Sequence, residues 1–126
     1  MNRTLVERRE ATATGEQRVG INSWMVAPGV WRLKDLFVNV HIIQNTEGTE
    51  WVLVDTGLAS TAAKIRNLAQ EIFGSRGSAP KAIIMTHGHF DHRGSLLELA
   101  DAWGVPVYCH HMEKPFLTGL ASYPPA

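Results

Sequence analysis

The chain has 126 residues, twelve basic and twelve acidic side chains, and a hydrophobic share of 44%. That length is one domain's worth, and that composition excludes a disordered, collagen-like or supercharged chain. A formal net charge of zero gives no electrostatic reason to expect nucleic acid or a membrane surface as a partner.

In chain order, residues 1–19 come first as a polar stretch carrying Arg3, Glu7, Arg8, Arg9, Glu10, Glu16 and Arg18. They read as a mobile tail with room for a short helical piece. They lack the apolar run of a secretion signal, so a cytoplasmic protein is expected. Residues 20–126 read as one further unit. Segments 24–26, 30–33 and 37–44 are short and rich in β-branched and aromatic residues. Turn signals at Pro28-Gly29 and Lys34-Asp35 divide them, and residues 45–48 separate them from the apolar stretch 51–55. This pattern predicts hairpin-connected antiparallel strands.

Beyond Trp51 the rhythm changes. The strand at 51–55 closes on Asp55-Thr56-Gly57. A helix follows, with Ser60 or Thr61 as its N-cap. Ile65, Leu68, Ala69, Ile72 and Phe73 share one face, and Gly74 ends it. A Gly/Ser/Pro loop leads to a second apolar strand at 82–86. A second helix starts at Ser95, with Glu98 completing a capping box. Leu96, Leu99, Ala100 and Trp103 form its apolar stripe, and Gly104 stops it. A third strand is expected at 105–109, then a weak helical signal near 113–120. Strand, helix, strand, helix, strand means parallel strands joined by right-handed crossovers. With antiparallel strands before them, the sheet is mixed and the class is α/β (α+β).

Ligands of such sheets gather beyond the carboxyl ends of the parallel strands. Five of the six histidines fall there: His87, His89, His92, His110 and His111, with His41 the exception. Residues 87–92 hold three imidazoles and one carboxylate, Asp91, between an apolar strand and a helix start. Imidazole nitrogens and carboxylate oxygens are the ligand set of Zn²⁺ and similar divalent ions. A lone histidine at a strand end reads as structural. Four ligand-type residues at this spacing read as a metal site. Along an extended backbone His87, His89 and Asp91 alternate away from Gly88 and Phe90, while His92 faces elsewhere. Two directions of ligation suit a pair of ions that share a water.

The stretch Thr86-His87-Gly88-His89-Phe90-Asp91-His92-Arg93-Gly94 resembles the H-x-H-x-D-H signature of the metallo-β-lactamase-fold hydrolases. Leu53-Val54-Asp55-Thr56-Gly57 resembles that family's strand ending in Asp-x-Gly. The resemblance covers residues 22–126 and implies the first half of an αββα sandwich, with helices on one face of a mixed sheet and a dinuclear metal site. It further implies that His87 and His89 ligate one metal and that Asp91 and His92 ligate the other. Asp91 would also handle the proton of the attacking hydroxide. Asp55 would orient a ligand imidazole, although a plain strand-end turn residue fits its spacing as well.

The family draws further ligands from its second half, in a Gly-His-Thr-x-Gly-His context that His110 and His111 do not share. Each implied metal therefore keeps two ligands, where a catalytic zinc has three and an open position. The apolar sheet face that meets the other half would be left bare. Three explanations fit: a truncated reading frame, pairing with a second copy or a complementing chain, or substitution by His110, His111 or Cys109. Cys109 has no partner for a disulfide and reads as a buried apolar side chain. His41 reads as structural, the four tryptophans as core or interface, Arg93 as solvated, and Phe90 as a possible wall of the site.

Two functions follow. One is a metal-dependent hydrolase, or a fragment of one, in which a metal-bridging hydroxide attacks an ester, thioester, lactone, amide or similar bond of a small-molecule substrate. The other is a non-catalytic metal-binding half-domain that assembles with a second chain. One or two zinc ions are the expected cofactor, and iron or manganese fits the same donors.

Overall fold

The computed structural model describes residues 15–75, 79–86 and 95–110. Seven strands form a single sheet whose spatial order is the chain order. They are β1 (Gln17–Gly20), β2 (Ser23–Ala27), β3 (Val30–Asp35), β4 (Val38–Gln44), β5 (Trp51–Val54), β6 (Ala82–Met85) and β7 (Val107–Cys109). The first five pair antiparallel. β5, β6 and β7 run parallel. Two helices make the crossovers, α1 (Ala62–Phe73) between β5 and β6 and α2 (Leu96–Trp103) between β6 and β7. The mixed sheet inferred from the change of rhythm after Trp51 is the one observed.

Period-2 patterning places the core. Trp31 and Leu33 of β3, Val40 and Ile42 of β4, Trp51 and Leu53 of β5, and Ile83 and Met85 of β6 are buried together. Their cross-strand pairing (Leu33 with Val40, Trp31 with Ile42, Ile42 with Leu53, Leu53 with Ile83) puts them on one face. Ile65, Leu68 and Ala69 of α1 and Leu96 and Leu99 of α2 complete the same cluster. Both helices therefore cover that face. An aromatic group fastens their C-terminal ends to the start of β5. Trp51 stacks on Phe73 with ring centroids 5.1 Å apart, and Trp103 meets Trp51 edge-on at 5.9 Å. This anchor lies at the sheet edge opposite the carboxyl ends of the parallel strands.

The other face carries the row Trp24, Arg32, His41, Val54, Ile84 and Tyr108, one residue from each strand from β2 to β7. Arg32 lies 5.0 Å from the Trp24 ring centroid and forms a two-pronged ion pair with Glu16. Ile43, Ile84 and Tyr108 on this side are exposed. Trp24 is thus apart from the helix-covered core that holds Trp31 and Trp51.

Three local expectations change. The polar stretch 1–19 does not stay a tail to its end, because Gln17–Gly20 pairs with β2 as an edge strand and buries Val19. Thr61 occupies the N-cap of α1 without a capping bond from its side chain, and a 3₁₀ turn at Ala59–Thr61 precedes it. Ser95 makes no capping bond either, and Glu98 pairs with Arg66 of α1 at 2.9 Å instead of folding back. No described helix is long and apolar enough to cross a membrane.

Leu53 is fully buried at the middle of the sheet. Leu53→Ala should lower the free energy of unfolding by about 2–5 kcal/mol, read by urea denaturation. His41 gives a pH dependence. Burial, and secondarily the Arg32 cation, hold its imidazole below the ordinary value of 6.5, with Asp55 opposing. The unfolded chain therefore takes up this proton first as pH falls. Stability from His41 is complete above about 6.5 and declines below it until the folded-state value is passed. His41→Gln should narrow the difference in urea midpoint between pH 7.5 and pH 5.5.

Candidate functional site

The strand registers gather three connections at one sheet edge. Val54 and Ile84 are aligned neighbours, so β5 and β6 end side by side. His41 pairs with Val54 and Asp35 with Val38, so the β3–β4 turn lies at this edge too. Here stand Asp55, Thr56, Gly57 and Leu58 after β5, Thr86 after β6, and His110 after β7.

Asp55 leaves the strand abruptly, at φ +64°. Aspartate tolerates that left-handed conformation better than most residues. Its backbone N–H still donates to Ile84 O at 2.8 Å, which holds it beside β6. Its carboxylate is buried and faces Thr86: Oδ1 accepts the Thr86 backbone N–H at 2.9 Å, and the Thr86 hydroxyl stands 2.8 Å from Oδ2. That amide lies just beyond the end of β6, and the Asp55 carboxylate gives it an acceptor. Asp55 thus fixes the point where the chain leaves β6 toward His87.

The next residues are held as firmly. Gly57 has φ +69°, and a Cβ there would lie 2.7 Å from Thr61 Oγ1, so only glycine fits. Leu58 donates its N–H to Thr61 Oγ1 at 2.9 Å, and its carbonyl accepts from Thr61 N at 2.9 Å and from Ser95 Oγ at 2.5 Å. Thr61 Oγ1 in turn donates to Asp35 Oδ2 at 2.6 Å, and Lys64 Nζ lies 2.7 Å from Asp35 Oδ1. The Lys64 and Thr61 donors hold the Asp35 carboxyl below its ordinary value. Thr56, Thr61 and Ser95 are all buried. Leu36 and Phe37, at the β3–β4 turn, are 71% and 66% exposed at the same edge.

His87, His89, Asp91 and His92 lie outside the described residues, as do Phe90, Arg93 and His111. Among the described residues no group of three or more His, Cys, Asp and Glu could hold a metal ion. Of the other residues singled out, Asp55 is at the edge, His110 is exposed just beyond β7, and Cys109 is half-buried. Asp35, Thr61 and Ser95 are the contributors that sequence reasoning missed. Asp35 stood in a turn signal and Ser95 in a capping box, and neither local pattern reveals partners 26 to 37 residues away.

Comparison with known proteins gives the frame. The sequence profile of the metallo-beta-lactamase superfamily matches residues 33–126. The chain is 46% identical over 101 residues to the probable metallo-hydrolase YflN of Bacillus subtilis (strain 168), covering 79% of this chain and 38% of that protein. It superposes on BJP-1, a subclass B3 metallo-beta-lactamase of Bradyrhizobium japonicum, with a TM-score of 0.67 at 23% identity, over 78% of this chain and 36% of that one. LRA-12, a class B3 di-zinc metallo-beta-lactamase from an Alaskan soil metagenome, matches with a TM-score of 0.54 at 22% identity, over 63% and 29% of the two chains. The two structural likenesses establish a shared fold. The chain spans less than two fifths of the length of each of these three proteins.

Asp55→Ala removes a buried carboxylate that accepts the part-buried Thr86 amide and should lower stability by about 1–3 kcal/mol. Asp55→Asn keeps an acceptor and tolerates the positive φ, so its loss should be smaller. Urea unfolding of the two variants side by side checks the order.

Proposed function

Because the chain belongs to the metallo-beta-lactamase superfamily, we propose that it carries the first metal-binding half of a metal-dependent hydrolase acting on a small-molecule substrate. The observation that supports this most is the Asp55–Thr86 clamp. It fixes the chain immediately before His87, at the sheet edge where ligands of parallel strands gather. The donors that follow suit a divalent ion by their chemistry, and zinc is the ion their set favours.

In this reading His87 and His89 hold one ion, and Asp91 and His92 hold a second. The metal, when bound, supplies Lewis acidity and lowers the pKa of water. Asp91 accepts the proton of the attacking water. Asp55 sits at the base of the loop and keeps a ligand imidazole oriented, as carboxylates beside metal-bound histidines commonly do. His110, beyond β7, lines the site, and His111 beside it in sequence shares that role. Leu36 and Phe37 offer apolar surface to the substrate. The bond cleaved is an ester, thioester, lactone or amide.

A second reading has one observation in its favour. Ile43 and Ile84 are 39% and 38% exposed on the face that neither described helix covers. A non-catalytic half-domain that binds metal and assembles with a second copy or a complementing chain would cover them.

Zinc retained after gel filtration, counted per chain, tests the metal site. One or two ions should be retained, with at least one lost in the His87→Ala/His89→Ala variant. A chain that retains no metal sinks the reading. Turnover of simple esters and thioesters favours the hydrolase, whereas a metal-binding dimer without turnover favours the half-domain.

A further inference from the structure

We propose that Asp35 is a positioning residue for the candidate metal loop, acting through Thr61 on Leu58 and Ser95. The proposal rests on the metal-site reading above and extends it to residues far from the motif. The Asp55–Thr86 clamp fixes the chain before His87. Ser95 is the first residue after the motif stretch that ends at Gly94, and its buried hydroxyl donates to Leu58 O at 2.5 Å. Both flanks of the stretch are therefore tied to one short segment, residues 55–58.

Leu58 is the junction, and its amide depends on Thr61. A hydroxyl has one proton to give and lone pairs to offer. An ionised carboxylate only accepts, so Asp35 compels Thr61 Oγ1 to donate toward it, at 2.6 Å. The lone pairs are then directed to the Leu58 N–H, at 2.9 Å. Asp35 sets the polarity of this chain of bonds, and Lys64 keeps Asp35 charged from the other side. Asparagine at position 35 could turn its NH₂ toward Thr61 and reverse that polarity. The hydroxyl proton would then compete with the Leu58 N–H. Among the described residues Asp35 is bonded to Thr61 and Lys64, neither of which adjoins the motif in sequence, so its influence on metal would run through Thr61.

Cobalt(II) titration of the whole chain, followed by visible d–d absorption at fixed pH, tests this. Asp35→Asn and Thr61→Val should each weaken cobalt binding by about tenfold or more, the scale typical of groups that orient metal ligands. Thr61→Ser, which keeps the hydroxyl, should restore nearly the original affinity. Leu68→Ala, a core substitution on α1 outside the network, should lower the urea midpoint yet leave affinity unchanged under conditions where the chain is folded. Unchanged affinity in Asp35→Asn and Thr61→Val, or a loss in Leu68→Ala of the same size, overturns the positioning role and leaves the metal site standing. No cobalt uptake by the unsubstituted chain overturns both.

Discussion

A backbone amide that has run out of sheet must find an acceptor, and here a buried carboxylate provides it. β6 ends at Met85, and the Thr86 N–H that follows donates to a side chain. Asp55 supplies an oxygen at 2.9 Å from the adjacent strand end. The arrangement needs Asp55 to depart from strand geometry, and its φ of +64° does so. From there the chain must turn sharply enough for Gly57 to pass against Thr61, where no side chain fits. The short Asp-Thr-Gly segment after β5 is thus shaped by one requirement, satisfaction of the amide that leads into the candidate metal loop. A chain whose exit from a strand is fixed in this way has less conformational entropy left to lose.

The antiparallel half of the sheet was legible because its chemistry is local. In β3 and β4 buried and open positions alternate, as Trp31, Leu33, Val40 and Ile42 show against Arg32, Asn39 and His41. The α1 stripe was equally plain, since helical spacing alone assigns Ile65, Leu68 and Ala69 to the core. β1 was not legible. Val19 is its only buried residue, and an edge strand that pairs on one side needs little apolar signal. The capping box at Ser95 and Glu98 failed for a different reason. Both side chains found tertiary partners, Leu58 O and Arg66, that outcompeted the local bonds. Of the candidate site, the donors proposed at residues 87–92 rest on spacing alone and lie outside the described residues, whereas Asp35 carries no local mark. Its meaning lies in Thr61 and Lys64, 26 and 29 residues on.

The two faces of the sheet differ in what their sequence asks for. β3 and β4 alternate in the way of strands with one wet side. β5 (Trp-Val-Leu-Val) and β6 (Ala-Ile-Ile-Met) are apolar almost throughout, the composition of parallel strands covered on both faces. Among the described residues only the helix side is covered. The open side has Val52 and Val54 half-buried and Ile84 exposed, next to the polar end of the row formed by Arg32 and His41. Exposed apolar side chains on that side are Ile43 on β4, Ile84 on β6 and Tyr108 on β7, and the last two strands also lead into the candidate site.

Two buried acids divide the labour at that edge. Asp55 works at first hand, binding the residue next to His87. Asp35 works at second hand, through a hydroxyl, an amide and a carbonyl that end on Ser95. Asp35 is the last residue of β3, paired with Val38, and Asp55 is the first residue after β5, so both act where a strand ends. What would be lost is the direction of the hydrogen bonds that meet at residues 55–58. The donors of a metal site can be written in six consecutive residues, because ligand type is a property of single side chains. The hydrogen bonds that meet at residues 55–58 come from the ends of β3, β5, α1 and α2, because rigidity belongs to contacts between elements. Ligand type can therefore be read from a short motif, whereas a network such as Asp35–Thr61–Leu58–Ser95 becomes visible only in the fold.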